Sequence, residues 1–310
     1  MRVLIADDSM ISRRLLEAAL HKWGYEVIAV SDGSEAWECL KGEDPPRIAI
    51  LDWMMPGLSG PDVCRRVRQN AGDRYTYILL VTSRSHKEDL IQGMAAGADD
   101  YITKPFDQNE LEVRLGPGRR IVELQDALVA AQAALREQAT TDALTRIWNR
   151  GSILEILDRE LSRSARAGTP MGVVIIDLDH FKAINDEHGH IAGDIALRET
   201  AGRMKKQCRN YDSLGRYGGE EFLLILPGCD KHAAESQAER LRSDLESAAI
   251  AIGETNLNIT ASFGVTAMIV NGNAEANAVL RTADEAMYKA KQQGRNRVVF
   301  AEFAIPVPGR

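Results

Sequence analysis

The chain has 310 residues, of which 45% are hydrophobic and 27% charged, the profile of a globular protein long enough for about two domains of ~150 residues. A net charge of −7 speaks against a nucleic-acid or membrane-surface binder, because either needs a basic face. It leaves room for phosphate ligands held by a few local cations or metal ions. Cys39, Cys64, Cys208 and Cys229 form no CxxC pair and lie beside no histidine at zinc-ligand spacing, so they read as reduced, small core residues. The apolar run at 1–6 is far too short for a signal peptide or a membrane span, which predicts a cytoplasmic protein.

In chain order, short apolar runs at 3–6, 26–30, 48–51, 78–81 and 101–103 alternate with stretches of helical spacing such as Ile11, Leu15, Leu16, Ala19 and Leu20. Continuous apolar runs read as parallel strands buried on both faces, and the alternation predicts a doubly wound α/β domain over 1–116. Asp107 with Glu110 opens a further helix as a capping box. Gly116-Pro117-Gly118 then predicts a kink or break, since proline inside a helix costs ~3 kcal/mol. Ile121, Leu124, Leu128, Ala131, Leu135 and Gln138 follow at spacings of three and four. Residues 117–140 therefore read as a helical linker, a short dimeric coiled coil or an amphipathic helix lying on one domain. The second domain, 141–300, reads as helices at 150–167, 191–207, 231–247 and 276–293 with strands at 173–176 and 259–266 and a glycine hairpin at 218–219. The segment 301–310 reads as a loose tail.

Asp7 and Asp8 follow the first strand, Asp52 ends the third, Thr82 the fourth and Lys104 the fifth. Ligands of open parallel sheets bind at the carboxyl ends of strands, so these residues converge on one crevice. Three carboxylates held together need a cation, and oxygen-only ligands imply Mg²⁺. A carboxylate beside Mg²⁺ and lysine can accept a phosphoryl group. Asp7-Asp8, Leu51-Asp52-Trp53-Met54-Met55-Pro56-Gly57, Thr82-Ser83 and Tyr101-Ile102-Thr103-Lys104-Pro105-Phe106 closely resemble the response-regulator receiver family. That resemblance implies a flavodoxin-like fold and Asp52 as the acceptor of phosphate from a histidine kinase partner. It implies one Mg²⁺ on Asp7 or Asp8, Asp52 and the Met54 carbonyl, with Asp8 favoured as the direct ligand, and Thr82 and Tyr101 as the switch pair.

In the second half, the run 173–176 ends in Asp177 and Asp179, and Gly218-Gly219 precedes Glu220 and Glu221. If the hairpin pairs beside that strand, Asp177 meets Glu220, and two such carboxylates suit two Mg²⁺ ions for in-line attack on a phosphate. Asn185 and Asp194 carry groups able to read a guanine edge. Lys291 and Arg295 supply cations for phosphates. His188 and His190 read as surface residues.

Thr141-Asp142-Ala143-Leu144-Thr145 with Asn149-Arg150, Asp177-Leu178-Asp179-His180-Phe181-Lys182 with Asn185-Asp186, Gly218-Gly219-Glu220-Glu221-Phe222 and Ala290-Lys291 through Arg297 closely resemble the GGDEF family of diguanylate cyclases. The resemblance implies an α+β, ferredoxin-like, palm-like fold that condenses two GTP into cyclic di-GMP. It implies Mg²⁺ on Asp177, the Leu178 carbonyl and Glu220, with Glu220 helping to deprotonate the attacking 3′-hydroxyl. Asn185 and Asp194 would read guanine, an aspartate at 194 favouring GTP over ATP, and Phe181, Lys182, Lys291 and Arg295 would contact phosphates. Arg209 and Asp212 match the family's RxxD product-inhibition site, with Arg163 and Arg240 as secondary contacts.

The product needs two substrates, so activity is expected from a homodimer, with the helix break as a hinge for the receiver's signal. Two other readings are a non-catalytic cyclic di-GMP-binding response regulator and a phosphorelay adaptor. Intact Glu220, Asp177 and Lys182 argue against the first, and the second does not explain why the metal-binding and guanine-reading sets are both complete.

Overall fold

A computed structural model describes residues 1–70, 74–83, 87–252, 255–269 and 275–304. Residues 305–310, most of the expected loose tail, lie outside them. The chain divides into two compact units, Met1–Ala134 and Leu135–Arg310.

The first unit alternates β1 (Arg2–Ala6), α1 (Met10–Lys22), β2 (Glu26–Val30), α2 (Gly33–Leu40), β3 (Ile48–Asp52), α3 (Gly60–Gln69), β4 (Tyr77–Thr82), α4 (Lys87–Ala95), β5 (Asp100–Thr103) and α5 (Gln108–Thr140). The five strands are parallel in the order β2-β1-β3-β4-β5. Successive side chains face opposite sides. Val3, Ile5, Ile48, Ile50, Leu79 and Val81 pack with Leu16 and Leu20 of α1 and Leu111, Leu115 and Val122 of α5. Leu4, Ala6, Ala49, Leu51, Ile78 and Leu80 pack with Ala36, Leu40, Val63 and Cys64 of α2 and α3. Both faces are buried, which is why these strands read as unbroken apolar runs.

The expected break at Gly116–Gly118 is corrected: α5 continues through Pro117. Proline removes the hydrogen bond residue 117 would give the carbonyl four residues earlier. The loss is outweighed because Leu111, Leu115, Gly118 and Val122 are buried along one face. Gly118 serves close packing, since a Cβ there would sit 2.5 Å from the Tyr77 ring, while one at Gly116 would meet nothing within 4 Å among the described residues. Further along, Leu124, Leu128 and Leu135 are exposed.

The second unit holds α6 (Arg150–Ala167), β6 (Pro170–Leu178), α7 (Phe181–His188), α8 (His190–Gln207), β7 (Ser213–Arg216), β8 (Glu221–Pro227), α9 (Lys231–Ser247), β9 (Ile250–Ile252), β10 (Thr255–Leu257), β11 (Ala261–Ile269), α10 (Ala276–Gln292) and β12 (Val298–Phe300). Its main sheet runs β12-β11-β6-β8-β7, antiparallel except for β11 with β12. Val174 and Ile176 of β6 face Ala196 and Leu197 of α8 and Ala238 and Leu241 of α9. Val173 and Ile175 face Ile153 and Leu157 of α6 and Val279 and Ala283 of α10. This is an α+β palm-like arrangement. The α7 helix and the β9–β10 hairpin had no counterpart in the sequence reading. No helix among the described residues is long and apolar enough to cross a membrane.

Candidate active site and phosphoryl-accepting site

At the carboxyl edge of the first sheet, Asp7, Asp8 and Asp52 offer carboxylate oxygens that all lie within 4.8 Å of one another. Asp7 is buried and positioned by Ser9 N–H at 2.8 Å and the Ser12 hydroxyl at 2.6 Å. Lys104 Nζ donates to Asp7 and to Asp52, each at 2.8 Å. Burial pushes the Asp52 carboxyl up, Lys104 opposes this, and Asp7 and Asp8 add to it. Burial works against the charge of Lys104, but its bonds to Asp52 and Asp7 outweigh burial and raise it. An all-oxygen set of three carboxylates fits a hard divalent cation. Thr82 is fully buried at the end of β4, and its carbonyl accepts from Lys104 N–H at 2.7 Å. Tyr101 is half-buried on β5, and Met54 is exposed beside the site.

In the second unit, β6 and β8 pair so that Asp177 stands opposite Glu221, and Leu178 N–H donates to the Glu220 carbonyl at 3.3 Å. The hairpin thus brings Asp177 and Glu220 together. Asp177 is buried; its Oδ2 accepts from Lys291 Nζ at 2.6 Å, and its Oδ1 finds no hydrogen-bond partner among the described residues. Burial pushes this carboxyl up, Lys291 opposes, and Glu220 and Asp179 add to the rise. A buried carboxylate oxygen left without a donor fits a cation ligand. Lys291, expected on a phosphate, here balances Asp177. Glu221 is also raised, by burial and then by Asp177, and so belongs to the same acidic cluster.

The glycine turn has a local cause. Tyr217 and Gly218 N–H both donate to the Glu221 carbonyl, at 2.8 and 3.3 Å, and a Cβ on Gly218 would lie 2.6 Å from the Glu221 carboxylate. Arg216 Nε and Nη2 donate to the Gly219 carbonyl at 3.1 and 2.8 Å, and its Nη1 reaches both Asp142 oxygens at 3.3 Å. The turn carrying Glu220 is therefore tied to the segment that follows α5. Among the residues quoted for the resemblance, Asp142 was given no role.

Phe181 and Lys182 open α7, so their backbone N–H groups lie at a helix N-terminus, suited to an anion. Asn185 on α7 abuts Gly193 on α8, where a Cβ would stand 2.0 Å from its Oδ1. Asn185 is thereby held next to exposed Asp194. Arg295 is exposed beyond the end of α10, in a left-handed conformation with φ 63°.

Asp179, unassigned from sequence, is buried and accepts from Thr260 Oγ1 at 2.9 Å, Ser262 Oγ at 2.7 Å and Asn296 N–H at 3.0 Å. It pins the loop bearing Arg295 to the strand bearing Asp177. A second aspartate two residues after the first was a signal, but only the fold shows what it anchors.

Away from this centre, Arg209 N–H donates to Asp212 Oδ2 at 2.8 Å and its guanidinium to the Tyr211 hydroxyl at 3.0 Å. Burial pushes the Asp212 carboxyl up against Arg209 and Arg240. Arg163 lines one cavity with Arg209 and Tyr211. Arg240 donates to the Gln207 carbonyl and to Gln237.

A doubly wound parallel domain with an acidic crevice and a palm-like domain with paired carboxylates define a two-domain protein of the response-regulator and nucleotide-chemistry class. The family described as "Diguanylate cyclase, GGDEF domain" matches residues 139–297, and "Response regulator receiver domain" matches 3–116. The chain belongs to the GGDEF family of diguanylate cyclases, with a response-regulator receiver domain ahead of the cyclase domain. It is similar to Response regulator PleD of Caulobacter vibrioides, 28% identical over 96% of this chain and 98% of that protein. It is also similar to Diguanylate cyclase DgcP of Pseudomonas aeruginosa, 35% identical over 75% of this chain and 34% of that protein. Among solved structures, the coiled coil and GGDEF domain of DgcB from Caulobacter crescentus, in complex with c-di-GMP, matches with TM-score 0.55 and 32% identity. It covers 62% of this chain and 99% of that chain.

Proposed function

We propose that this protein is an active cyclase condensing two GTP into cyclic di-GMP and two pyrophosphates, switched on by phosphorylation of Asp52 and restrained by its product at Arg209 and Asp212. The observation that carries the reading is buried Asp177, with one oxygen on Lys291, the other without a donor among the described residues, and Glu220 alongside. In this reading Asp177, the Leu178 carbonyl and Glu220 would hold two Mg²⁺. Asp7, Asp8, Asp52 and the Met54 carbonyl would hold one in the receiver. Bound Mg²⁺ supplies charge neutralisation at phosphate oxygens and favours ionisation of the attacking hydroxyl.

The chain's own residues do the rest. Asn185 and Asp194 orient guanine. The backbone of Phe181 with Lys182, Lys291 and Arg295 holds the phosphates, and Lys291 has Asp177 as its resting partner. Gly218 and Gly219 leave the turn bare for close approach, and Glu220 takes the 3′-hydroxyl proton. One domain holds one GTP, so two copies must face each other, each 3′-hydroxyl meeting the other's α-phosphate. Exposed Leu124, Leu128 and Leu135 on α5 suit a homodimeric coiled coil over 117–140 between a receiver of 1–116 and a cyclase domain of 141–300. In the receiver, Lys104 balances the phosphoryl group on Asp52, Thr82 and Tyr101 carry the switch, and a histidine kinase is the donor. We place the protein in the cytoplasm, with neither nucleic acid nor membrane as partner.

The test is purified full-length protein with GTP and Mg²⁺, with and without beryllofluoride as the phosphoryl mimic, and nucleotides separated. Cyclic di-GMP formation should rise several-fold with the mimic and not in Asp52→Asn. The same rate in all four conditions would remove phosphorylation control. Binding of cyclic di-GMP with no synthesis would favour a non-catalytic response regulator.

A further inference from the structure

Arg209 and Asp212 do not stand alone. Together with Arg146, Trp148 and Lys205 they line a cavity of about 420 Å³, within the size range of small-molecule sites. Three cations and one carboxylate leave an excess of two positive charges on this wall, in a chain whose net charge is −7. A cyclic dinucleotide carries two phosphodiester charges and two purine faces. Trp148 is 37% exposed, a large aromatic ring presented to solvent.

Arg146 is the unusual member. Its backbone is left-handed, with φ 57°, a conformation that costs an L-residue energy and that glycine adopts freely. The strained turn is fixed by Arg146 N–H donating to the Asp142 carbonyl at 2.9 Å and by Lys205 Nζ donating to the Arg146 carbonyl at 3.4 Å. The Arg146 guanidinium is largely exposed and, among the described residues, reaches only Glu137, at 3.4 Å, in the last turn of α5.

We propose that the product site extends beyond the Arg209/Asp212 pair into this cavity, with a guanine of cyclic di-GMP stacked on Trp148 and a phosphate held by Arg146 and Lys205. The inference rests on the product-inhibition reading of Arg209 and Asp212. Bound product then draws Arg146 from Glu137, so ligand occupancy is felt at the end of α5.

The experiment uses full-length, nucleotide-free protein titrated with cyclic di-GMP, followed by calorimetry and tryptophan fluorescence, with GTP in the absence of Mg²⁺ as the specificity arm. The wild type should show quenching. In Trp148→Phe, which keeps an aromatic face, binding should stay within a few-fold while the quenching disappears, because the other tryptophans are Trp23, Trp37 and Trp53. Arg146→Ala with Lys205→Ala should weaken binding about tenfold or more. Quenching that persists in Trp148→Phe, or a double variant binding within twofold of wild type, overturns the proposal. GTP quenching as strongly as cyclic di-GMP does the same. If Arg209→Ala abolishes binding while the double variant does not change it, the ligand lies on the Arg163 and Tyr211 side of Arg209 and only the extension falls. If Arg209→Ala binds unchanged, the product-inhibition reading itself falls.

Discussion

Replacing Arg216 with methionine keeps the apolar stem and removes the guanidinium that ties Asp142 to the Gly219 carbonyl. The charge-assisted bonds to that carbonyl, 2.8 and 3.1 Å long, contribute about 1.5–3 kcal/mol. The contacts to Asp142 are longer, 3.3 Å, and both side chains are 21% exposed, so that pair adds about 0–1 kcal/mol. The sum, about 1.5–4 kcal/mol, falls on a unit for which each kcal/mol moves the melting temperature by roughly 2–4 °C. The cyclase transition should therefore drop by about 3–16 °C. The greater effect is on rate. The tie holds the turn from which Glu220 projects, and a misplacement of about 1 Å at a reacting group costs on the order of 100-fold. Initial rates of cyclic di-GMP formation, measured well below the melting transition, should fall at least tenfold. An Arg216→Met protein that melts early but keeps its rate within twofold would refute the idea that this tie aims Glu220.

Two glycines on either side of Pro117 in α5 should respond with opposite signs. Gly116→Ala, facing open space, should stabilise the receiver by about 1 kcal/mol. Gly118→Ala, whose methyl meets the Tyr77 ring, should destabilise it by about 1–3 kcal/mol, both read from thermal melts. Gly193→Ala should displace Asn185 and raise KM for GTP about tenfold with a smaller change in kcat, as expected for one lost hydrogen bond to the base. Asp142 gives a pH test. Burial pushes its carboxyl up, but the Thr145 hydroxyl and N–H and the Arg216 guanidinium outweigh burial and hold it below its ordinary value. The unfolded chain, with a carboxyl pKa of about 3.9, binds the proton more readily, so this stabilisation is present above about pH 4 and lost as pH falls through the folded value. Asp142→Asn should melt a few degrees below wild type at pH 7, and the gap should close below about pH 4.

The strand-end residues of the receiver were legible because buried parallel strands write themselves as apolar runs, and Asp7, Asp52 and Lys104 each sit at the end of one. The meeting of Asp177 with Glu220 was legible for a related reason, since a glycine turn beside a buried strand allows few registers. Pro117 misled because local helix propensity was read without the tertiary contacts of Leu115, Gly118 and Val122 that hold the helix together. The partners of Asp179 and Arg216 were not legible. Thr260 and Ser262 lie about eighty residues from Asp179, and Asp142 lies 74 residues from Arg216, with no periodicity linking them. The pairing of Lys291 with Asp177 was not legible either, because it depends on α10 packing over β6 and β11, which no local pattern encodes.

The most direct measurement compares wild type with Glu220→Gln, full-length, with GTP and Mg²⁺, quantifying cyclic di-GMP and pyrophosphate together. The account predicts one cyclic di-GMP for every two pyrophosphates from the wild type, and a loss of at least 100-fold in Glu220→Gln with the melting profile retained. Equal synthesis by the two proteins, or no cyclic di-GMP from the wild type even with the receiver in its beryllofluoride form, would contradict it.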